Sequence, residues 1–262
     1  MIYPDRRMSK PKAIFCWSGG KDSSYCLHKV LKEHLYDVKY LLTTINDKFK
    51  RISMHGVREE LLNNQIESIG IPLLKVTVIE GTNNEYERKM EAVLLKAKSE
   101  GINIVIFGDI FLEDLRVYRE NNLAKVGMKG VFPLWKMDTT ILINDFISKQ
   151  FKAVACCTND GYLGKEWAGR EIDKSFIAEL PARVDPCGEN GEYHTFCYDG
   201  PLFKKKIDFT IGEKVYKPLE IKTTDVCSLP SNITTKGFWF CDLLPLPFEQ
   251  INTDEKQSHL FV

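Results

Sequence analysis

The chain has 262 residues, of which 44% are hydrophobic, and its 36 basic and 36 acidic side chains give a formal net charge of +0. That length accommodates one large domain or two modest ones, and the balanced charge argues against general attraction to nucleic acid or anionic membranes. No stretch approaches the roughly 18 consecutive apolar residues that a membrane span requires. The eight cysteines form no CxxC pair and the N-terminus has no apolar signal region, so we expect a cytoplasmic protein with reduced thiols.

The first chemical motif follows the first predicted strand. An apolar run at 13–17 leads directly into SGGKDS at 18–23, and helix-patterned sequence follows. Glycines allow the backbone to approach a ligand closely, and the first turn of a helix favours an anion. Lys21 adds positive charge, and Asp22 is suited to reaching a phosphate-bound magnesium ion. The motif predicts a polyphosphate socket without the GxxxxGK pattern of a Walker A loop. Its predicted nucleotide-binding residues are Ser18, Gly19, Gly20, Lys21, Asp22 and Ser23, with Asp22 also the metal ligand.

The rest of the first half alternates strand and helix patterns. Strands are predicted at 38–45, 73–79 and 104–107, and helices over 57–69 and 86–97. This alternation predicts an α/β fold whose parallel sheet is covered on both faces. Ligands of such sheets bind beyond the carboxyl ends of the strands. The SGGKDS motif, Thr44, Gly108 and Asp109 are therefore predicted to surround one crevice.

The pattern loosens around residues 127–133, and we predict a domain boundary there. The predicted ranges are 1–130 for a nucleotide-binding domain, 131–225 for a smaller α/β domain and 226–262 for a C-terminal extension. Within the smaller domain we predict helices over 139–148 and 172–180, a strand at 152–157 and a hairpin at 207–222 that turns at Gly212. The apolar run at 238–244 is predicted to dock on the body of the protein.

Residues 185–201 read DPCGENGEYHTFCYDGP and form the most unusual segment of the chain. We interpret the segment as a loop that carries Glu189, Glu192, His194 and Asp199 among glycines. Such a cluster suits recognition of a cationic or amide group, capture of ammonia, or proton transfer by His194 near neutral pH. The alternative is a surface loop whose acids are solvated, with His194 filling a polar gap. The spacing is not diagnostic of a metal site.

SGGKDS resembles the signature of the PP-loop ATP pyrophosphatases, which split ATP between its α- and β-phosphates. Together with CGENGEYHT at 187–195, it resembles the diphthine–ammonia ligase (diphthamide synthetase) family, in a form similar to the bacterial branch. Further blocks of the same family match at 108–120, 132–135 and 169–170. The resemblance implies a Rossmann-like domain of the adenine nucleotide alpha hydrolase type, followed by a smaller α/β domain, with the active site between them.

The resemblance also implies a reaction in which ATP adenylates a carboxylate, pyrophosphate leaves and ammonia attacks the acyl adenylate. Lys21 and magnesium would stabilise the departing pyrophosphate, and arginines would hold the carboxylate or α-phosphate. Surface salt bridging along a helix is the alternative for these arginines, because Arg116 and Glu120 have i, i+4 spacing. The predicted catalytic residues are Lys21, Glu189, Glu192 and His194. The predicted substrate residues are Glu113, Arg116, Arg119, Arg170 and Asp199.

The acceptor stays open, because bacteria do not make diphthamide. The expected partners are ATP, ammonia or ammonium, and a carboxylate-bearing small molecule or protein, with ATP and Mg²⁺ as cofactors. A PP-loop enzyme that modifies tRNA is disfavoured by the neutral net charge and the lack of a CxxC pair. A non-catalytic nucleotide sensor would not need the acidic cluster. The oligomeric state is also open, with a homodimer as one alternative.

Overall fold

A computed structural model of the chain describes residues 10–78, 83–219 and 235–247. Its first sheet contains β1 (Lys12–Cys16), β2 (Asp37–Asn46), β3 (Arg51–Ile52), β4 (Leu73–Val78), β5 (Ile104–Ile106) and β6 (Lys129–Val131). β1 lies between β2 and β5, with β4 beside β2 and β6 beside β5, all in parallel. The short β3 pairs with β2 in the antiparallel sense. The mainly parallel sheet confirms the predicted α/β fold class.

Four helices cover the two faces of this sheet: α1 (Lys21–Glu33), α2 (Glu59–Ile69), α3 (Asn83–Ser99) and α4 (Glu113–Lys125). Successive residues of a strand point to opposite faces. Phe15 of β1 accordingly packs in one buried cluster with Leu27 of α1 and Leu61 of α2. Ile14, its neighbour, packs in the other cluster with α3 and α4 residues. Because both faces are buried, β1, β2, β4 and β5 read as largely apolar runs, which predict strands. The short strands β3 and β6 were not predicted from the sequence.

The second sheet is antiparallel and contains β7 (Lys152–Asn159), β8 (Tyr193–Asp199), β9 (Phe209–Pro218) and β10 (Gly237–Pro245) in the order β8-β7-β10-β9. Two helices accompany it, α5 (Thr139–Ser148) and α6 (Lys174–Glu179). Both helices begin at an aspartate cap. Asp138 accepts a hydrogen bond from the Ile141 N–H and Asp173 accepts one from the Phe176 N–H, which satisfies otherwise unpaired first-turn donors.

Two sequence predictions for this half were wrong. The hairpin predicted at 207–222 is instead the single strand β9, which runs through Gly212 and pairs with β10 from Phe209 to Pro218. Hydrogen bonds from a distant strand outweigh the local turn signal there. The segment at 185–201 is a loop only as far as Glu192, because β8 occupies Tyr193–Asp199. The backbone of β8 pairs with β7, and this partner lies more than thirty residues earlier in the chain.

The two sheets share one buried core. The larger hydrophobic cluster includes Phe15 and Leu27 from the first half together with Phe146, Phe196 and Leu243 from the second. Leu243 belongs to β10, which lies within the range 226–262 that was predicted as a C-terminal extension. The predicted domain ranges stay a prediction. Within the described ranges, no helix is both long and apolar enough to cross a membrane. The seven cysteines that the structure describes are free thiols.

Candidate active site

The SGGKDS segment forms the turn between β1 and α1. Gly19 has φ +78°, a left-handed conformation that favours glycine, and Gly20 caps α1 with extended backbone. The Ser18 hydroxyl accepts from the Gly20 N–H at 3.3 Å and donates to Ser23 Oγ at 3.0 Å. Backbone N–H groups, two hydroxyls and the Lys21 ammonium therefore surround one turn at the carboxyl end of the sheet. This donor set fits the oxygens of a polyphosphate.

Lys21 is buried, with 2% of its surface exposed. Its Nζ donates to Asp22 Oδ2 at 2.7 Å and to the Cys187 carbonyl oxygen, and it lies 5.2 Å from the centroid of the Tyr193 ring. Burial acts to lower the pKa of Lys21, but Asp22, Tyr193 and Cys187 together outweigh it and the pKa is raised. Lys21 is thus a fixed positive charge. The contact with Cys187 also joins the two sequence motifs in space.

Strand β8 packs directly on the SGGKDS turn. The Lys21 N–H donates to Thr195 Oγ1 at 2.9 Å, and the Cys197 N–H donates to the Gly19 carbonyl at 2.8 Å. Gln65 of α2 is fully buried, and its Nε2 donates to the carbonyls of Gly19 at 2.9 Å and Cys197 at 2.6 Å. Sequence reasoning missed these contacts of Gln65 and Thr195. The one available signal was a glutamine within an apolar helical stripe.

Two carboxylates, those of Asp22 and Glu189, lie close enough to Lys21 for its charge to affect their pKa. Asp22 Oδ1 is buried and has no hydrogen-bond partner among the described residues. Burial raises the pKa of Asp22, and the charge of Asp185 adds to the rise. Glu189 Oε1 accepts from the N–H groups of Ile110 at 2.7 Å and Phe111 at 3.3 Å. Burial, with help from the Asp22 charge, raises the pKa of Glu189 to about 7.

The unpartnered oxygen of Asp22 fits a magnesium ion, because Mg²⁺ prefers carboxylate oxygens. The described ranges contain no group of three or more His, Cys, Asp or Glu side chains placed to hold a metal. Mg²⁺ is commonly bound by one or two carboxylates with substrate phosphates and water. Asp22 therefore suits a magnesium ion that arrives with ATP. Magnesium binding by Asp22 stays a prediction.

Two histidines meet beside the turn. The rings of His194 on β8 and His55, in the turn between β3 and α2, lie 4.8 Å apart. His55 Nδ1 is 2.9 Å from the Thr195 carbonyl oxygen. Burial lowers the pKa of His194 to about 3, with His55 and Lys21 contributing, and lowers that of His55 to about 4. Sequence reasoning missed His55, which lies three residues after the end of the short strand β3.

Glu192 is fully buried and organises its own loop. Its Oε1 accepts from the Asp185 N–H and from Asn190 Nδ2, both at 3.0 Å. Asp185 Oδ1 in turn accepts from the N–H groups of Cys187 at 2.9 Å and Glu189 at 3.2 Å. Glu192 Oε2 has no hydrogen-bond partner among the described residues. These bonds hold the loop that presents the Cys187 carbonyl to Lys21, and the catalytic role of Glu192 stays a prediction.

The predicted arginines have acidic or aromatic partners. Arg116 Nε donates to Glu120 at 2.9 Å, the i, i+4 pair foreseen as the alternative, and its guanidinium lies 4.6 Å from the Trp135 ring centroid. Arg119 Nε lies 2.6 Å from Asp109. Arg170 donates to Glu179 at 2.9 Å. A ligand would have to compete with these partners, so carboxylate binding by the arginines stays a prediction.

The remaining predicted residues differ in their distance from the SGGKDS turn. Gly108 packs against α1, since a Cβ built on it would lie 3.3 Å from the Ser23 Cα atom. Thr44 forms a hydrogen bond with Tyr86, and Glu113 is exposed in the first turn of α4. Asp199 accepts from the Gly200 N–H at 2.8 Å and lies 4.0 Å from Lys152. Gly108 thus lies at the SGGKDS turn. The hydrogen-bond partners of the Arg170 and Asp199 side chains, which are Glu179 and Gly200, are not part of that turn.

Fold and turn together define an α/β protein of the PP-loop class with a smaller antiparallel second domain. The chain matches the family of diphthamide synthase N-terminal domains over residues 11–130 and that of the C-terminal domains over residues 138–224. The diphthine–ammonia ligase of Danio rerio is 30% identical over 76% of this chain and 86% of that protein. That of Homo sapiens is 26% identical over 84% of this chain and 96% of that protein.

The chain therefore belongs to the diphthine–ammonia ligase family of ATP-dependent carbon–nitrogen ligases. A third relative, the diphthine–ammonia ligase of Rattus norvegicus, is 28% identical over 76% of this chain and 82% of that protein. The family resemblance seen in SGGKDS and CGENGEYHT is confirmed. The assignment to a bacterial branch stays a prediction.

Proposed function

We propose that this protein adenylates a substrate carboxylate with ATP, releases pyrophosphate and transfers ammonia to the activated acyl group. The observation that carries this proposal is the meeting of the two motifs at Lys21. Its Nζ donates to the Cys187 carbonyl and its N–H donates to Thr195 Oγ1. The nucleotide turn and the acidic loop thereby form one site, as a two-step ligase requires. Relatives named for joining diphthine and ammonia support the same chemistry.

In the first step, the chain binds the polyphosphate and stabilises its developing charge. Lys21 is a buried, fixed cation, so its attraction for phosphate oxygens is little screened by water. Gly20 N–H and Ser23 Oγ would add neutral donors in exchange for their present bonds to Ser18 Oγ and the Gly20 carbonyl. Magnesium, when bound through Asp22, would supply further neutralisation of the phosphates. The products of this step are an acyl adenylate and pyrophosphate.

In the second step, ammonia attacks the acyl carbon, AMP leaves, and one proton must leave the nitrogen. Glu189, whose pKa is about 7, is matched to proton transfer near neutral pH. His194 is neutral at that pH, because burial lowers its pKa to about 3, and such a ring is a weak base. We assign proton acceptance to Glu189, and the catalytic role of His194 stays a prediction. Glu192 holds the loop that carries Glu189 and stays a candidate for ammonium binding through Oε2.

The acceptor is a molecule with a free carboxylate, either small or part of a protein. Diphthine is the acceptor in the names of the relatives, and we propose that the acceptor of this chain differs from it. The form of the sequence blocks at 108–120 and 187–195 supports this choice. Arg116 is our preferred carboxylate ligand, because its guanidinium stacks on a half-buried aromatic pair, Phe132 and Trp135, and needs to release only Glu120.

The test is incubation of the protein with ATP, magnesium, ammonium and an extract of cellular small molecules and proteins. We expect AMP and pyrophosphate in equal amounts, together with a new product one oxygen poorer and one NH richer than its precursor in mass spectra. Omitting ammonium should abolish the amide. Release of ADP and inorganic phosphate alone would contradict the proposal.

A further inference from the structure

His55 is held beside the SGGKDS turn by a single oriented hydrogen bond. Its Nδ1 lies 2.9 Å from the Thr195 carbonyl oxygen. A carbonyl oxygen only accepts, so Nδ1 carries the proton of the neutral ring and Nε2 carries the lone pair. No hydrogen bond to Nε2 is formed within the described parts of the chain. The second nitrogen is therefore available to a ligand.

The ring forms one wall of the turn. A Cβ built on Gly20 would lie 2.8 Å from His55 Cε1 and 3.0 Å from the Thr195 carbonyl oxygen. Any side chain at position 20 would thus displace His55 or β8. Since Gly20 immediately precedes Lys21 at the start of α1, the imidazole lies where the predicted polyphosphate would approach the backbone N–H groups.

The turn that carries His55 is fixed from both sheets before a ligand arrives. Arg51 Nη1 donates to the Gly56 carbonyl at 2.7 Å. Asp242 of β10 accepts from Arg51 Nη2 at 2.8 Å and from Arg58 Nη2 at 2.7 Å. An imidazole whose position is already set costs little ordering entropy on binding. Such preorganisation is typical of a binding residue.

We propose that His55 is a further polyphosphate-binding residue, which donates a hydrogen bond from Nε2 to a phosphate oxygen while Nδ1 keeps its bond to Thr195. This inference rests on the proposed function, because it requires ATP phosphates at the SGGKDS turn. A phosphate oxygen only accepts, so Nε2 takes one proton from the solvent when the ligand binds. The complex then contains an imidazolium with both nitrogens satisfied, and such charge-assisted hydrogen bonds are stronger than neutral ones.

Proton uptake on binding requires the charge of the phosphates to outweigh the burial of the ring. Burial lowers the pKa of His55 to about 4, and Lys21 on α1 adds to the decrease. The other titratable group facing the ring is His194 on β8, and the nearby Arg51 and Arg58 are paired with Asp242. The free site therefore holds a neutral ring. A polyanion at the turn reverses the effect of Lys21 and favours the imidazolium.

The test uses α,β-methylene-ATP, which resists cleavage between the α- and β-phosphates, titrated with magnesium into the full chain. Calorimetry at pH 7.5 in two buffers of different ionisation enthalpy measures both affinity and protons taken up. His55→Asn keeps a donor for the Thr195 carbonyl but lacks the second nitrogen. We expect this variant to bind about tenfold or more weakly and to lose the proton uptake of the unmodified protein.

His34→Asn is the matched control, because His34 is exposed at the end of α1 and has φ +54°, which asparagine tolerates. It should behave like the unmodified protein. Unchanged affinity and proton uptake in His55→Asn would overturn the inference. His55→Ala also deletes the bond to Thr195, so a loss of affinity seen in His55→Ala but not in His55→Asn would overturn it as well. Loss of proton uptake in His194→Asn alone would also overturn it. If the unmodified protein does not bind the analogue, the proposed function fails as well.

Discussion

Lys21 combines three properties that rarely occur together in one lysine. It is buried, it contacts both a carboxylate and a backbone carbonyl, and it lies at the start of a helix. Burial of an ammonium is costly unless it is paired. The fold meets that cost with Asp22 and Cys187, and in doing so keeps a cation ready at the nucleotide turn.

Lys21→Ala should weaken binding of α,β-methylene-ATP by about tenfold or more, because a charge-assisted contact to phosphate is lost. Titration calorimetry measures the change. Lys29→Ala is the control, since Lys29 lies on the same helix but is partly exposed and paired with Glu33. Equal affinities in Lys21→Ala and the unmodified protein would contradict the phosphate socket.

Glu189 should make the stability of the unliganded protein depend on pH. Its pKa is about 7 in the folded state against an ordinary 4.5, so between these values the folded protein holds a proton that the unfolded chain has released. The stabilising contribution is fully present below pH 4.5 and is lost as the pH rises through 7. We expect Glu189 to contribute a decrease in the free energy of unfolding of about 1 kcal/mol per pH unit between pH 5 and 7. This contribution is opposite in sign to those of His55 and His194, whose pKa values burial lowers.

Urea unfolding of the unmodified protein and of Glu189→Gln at pH 5 and pH 7 isolates this contribution, which the variant should lack. Glu60→Gln, at an exposed position of α2, is the control and should keep the unmodified slope. The idea is wrong if Glu189→Gln and Glu60→Gln depend on pH in the same way.

At the scale of elements, β8 decides how the two halves meet. It pairs with β7 on one edge, while the Cys197 N–H and the Thr195 hydroxyl bond to the SGGKDS turn. The same strand therefore builds the second sheet and completes the nucleotide site. The segment at 193–199, which was interpreted as part of a loop, is a strand because its backbone pairs with β7.

The clamp between β10 and the turn before α2 should contribute to stability. Asp242 is only 19% exposed and accepts hydrogen bonds from Arg51 and Arg58. The Arg58 hydrogen bond, together with Arg51, lowers the pKa of Asp242, although burial opposes the shift. Asp242→Asn should lower the free energy of unfolding by about 1 to 3 kcal/mol, measured by urea unfolding at pH 7.

Asp37→Asn is the matched control for the clamp. Asp37 pairs with Lys39 at the surface, where both side chains are 42% exposed, and exposed pairs contribute about 0 to 1 kcal/mol. A similar small effect in both variants would show that the clamp does not hold the sheets together.

At the scale of the whole molecule, the two sheets are expected to unfold together. The larger core cluster contains residues of both, so loss of one sheet exposes apolar surface of the other. Single-tryptophan variants that retain either Trp17 beside β1 or Trp239 on β10 report on each half. We expect coincident urea midpoints in the two variants, as two-state unfolding requires. Midpoints separated by more than the fitting error would contradict a shared core.

Local information sufficed for several elements in both halves of the chain. The strands at 38–45 and 104–107 and the helix at 139–148 were predicted within two residues, because apolar runs and helical periodicity are properties of contiguous sequence. The hairpin predicted at 207–222 was wrong because the structure of this segment depends on a distant strand. Gly212 and Glu213 resemble a turn locally, but β10 binds that segment along its whole length.

The parallel α/β fold and the glycine turn with Lys21 follow from local sequence, because strand, turn and helix start are consecutive in the chain. The bond between Thr195 and Lys21, a residue 174 positions earlier, depends on how the chain packs. The tertiary structure also decided that His55 and Gln65 would flank the turn and that the arginines would take acidic partners. Contacts between distant residues depend on how the two sheets pack, and no local pattern of residue types records that packing.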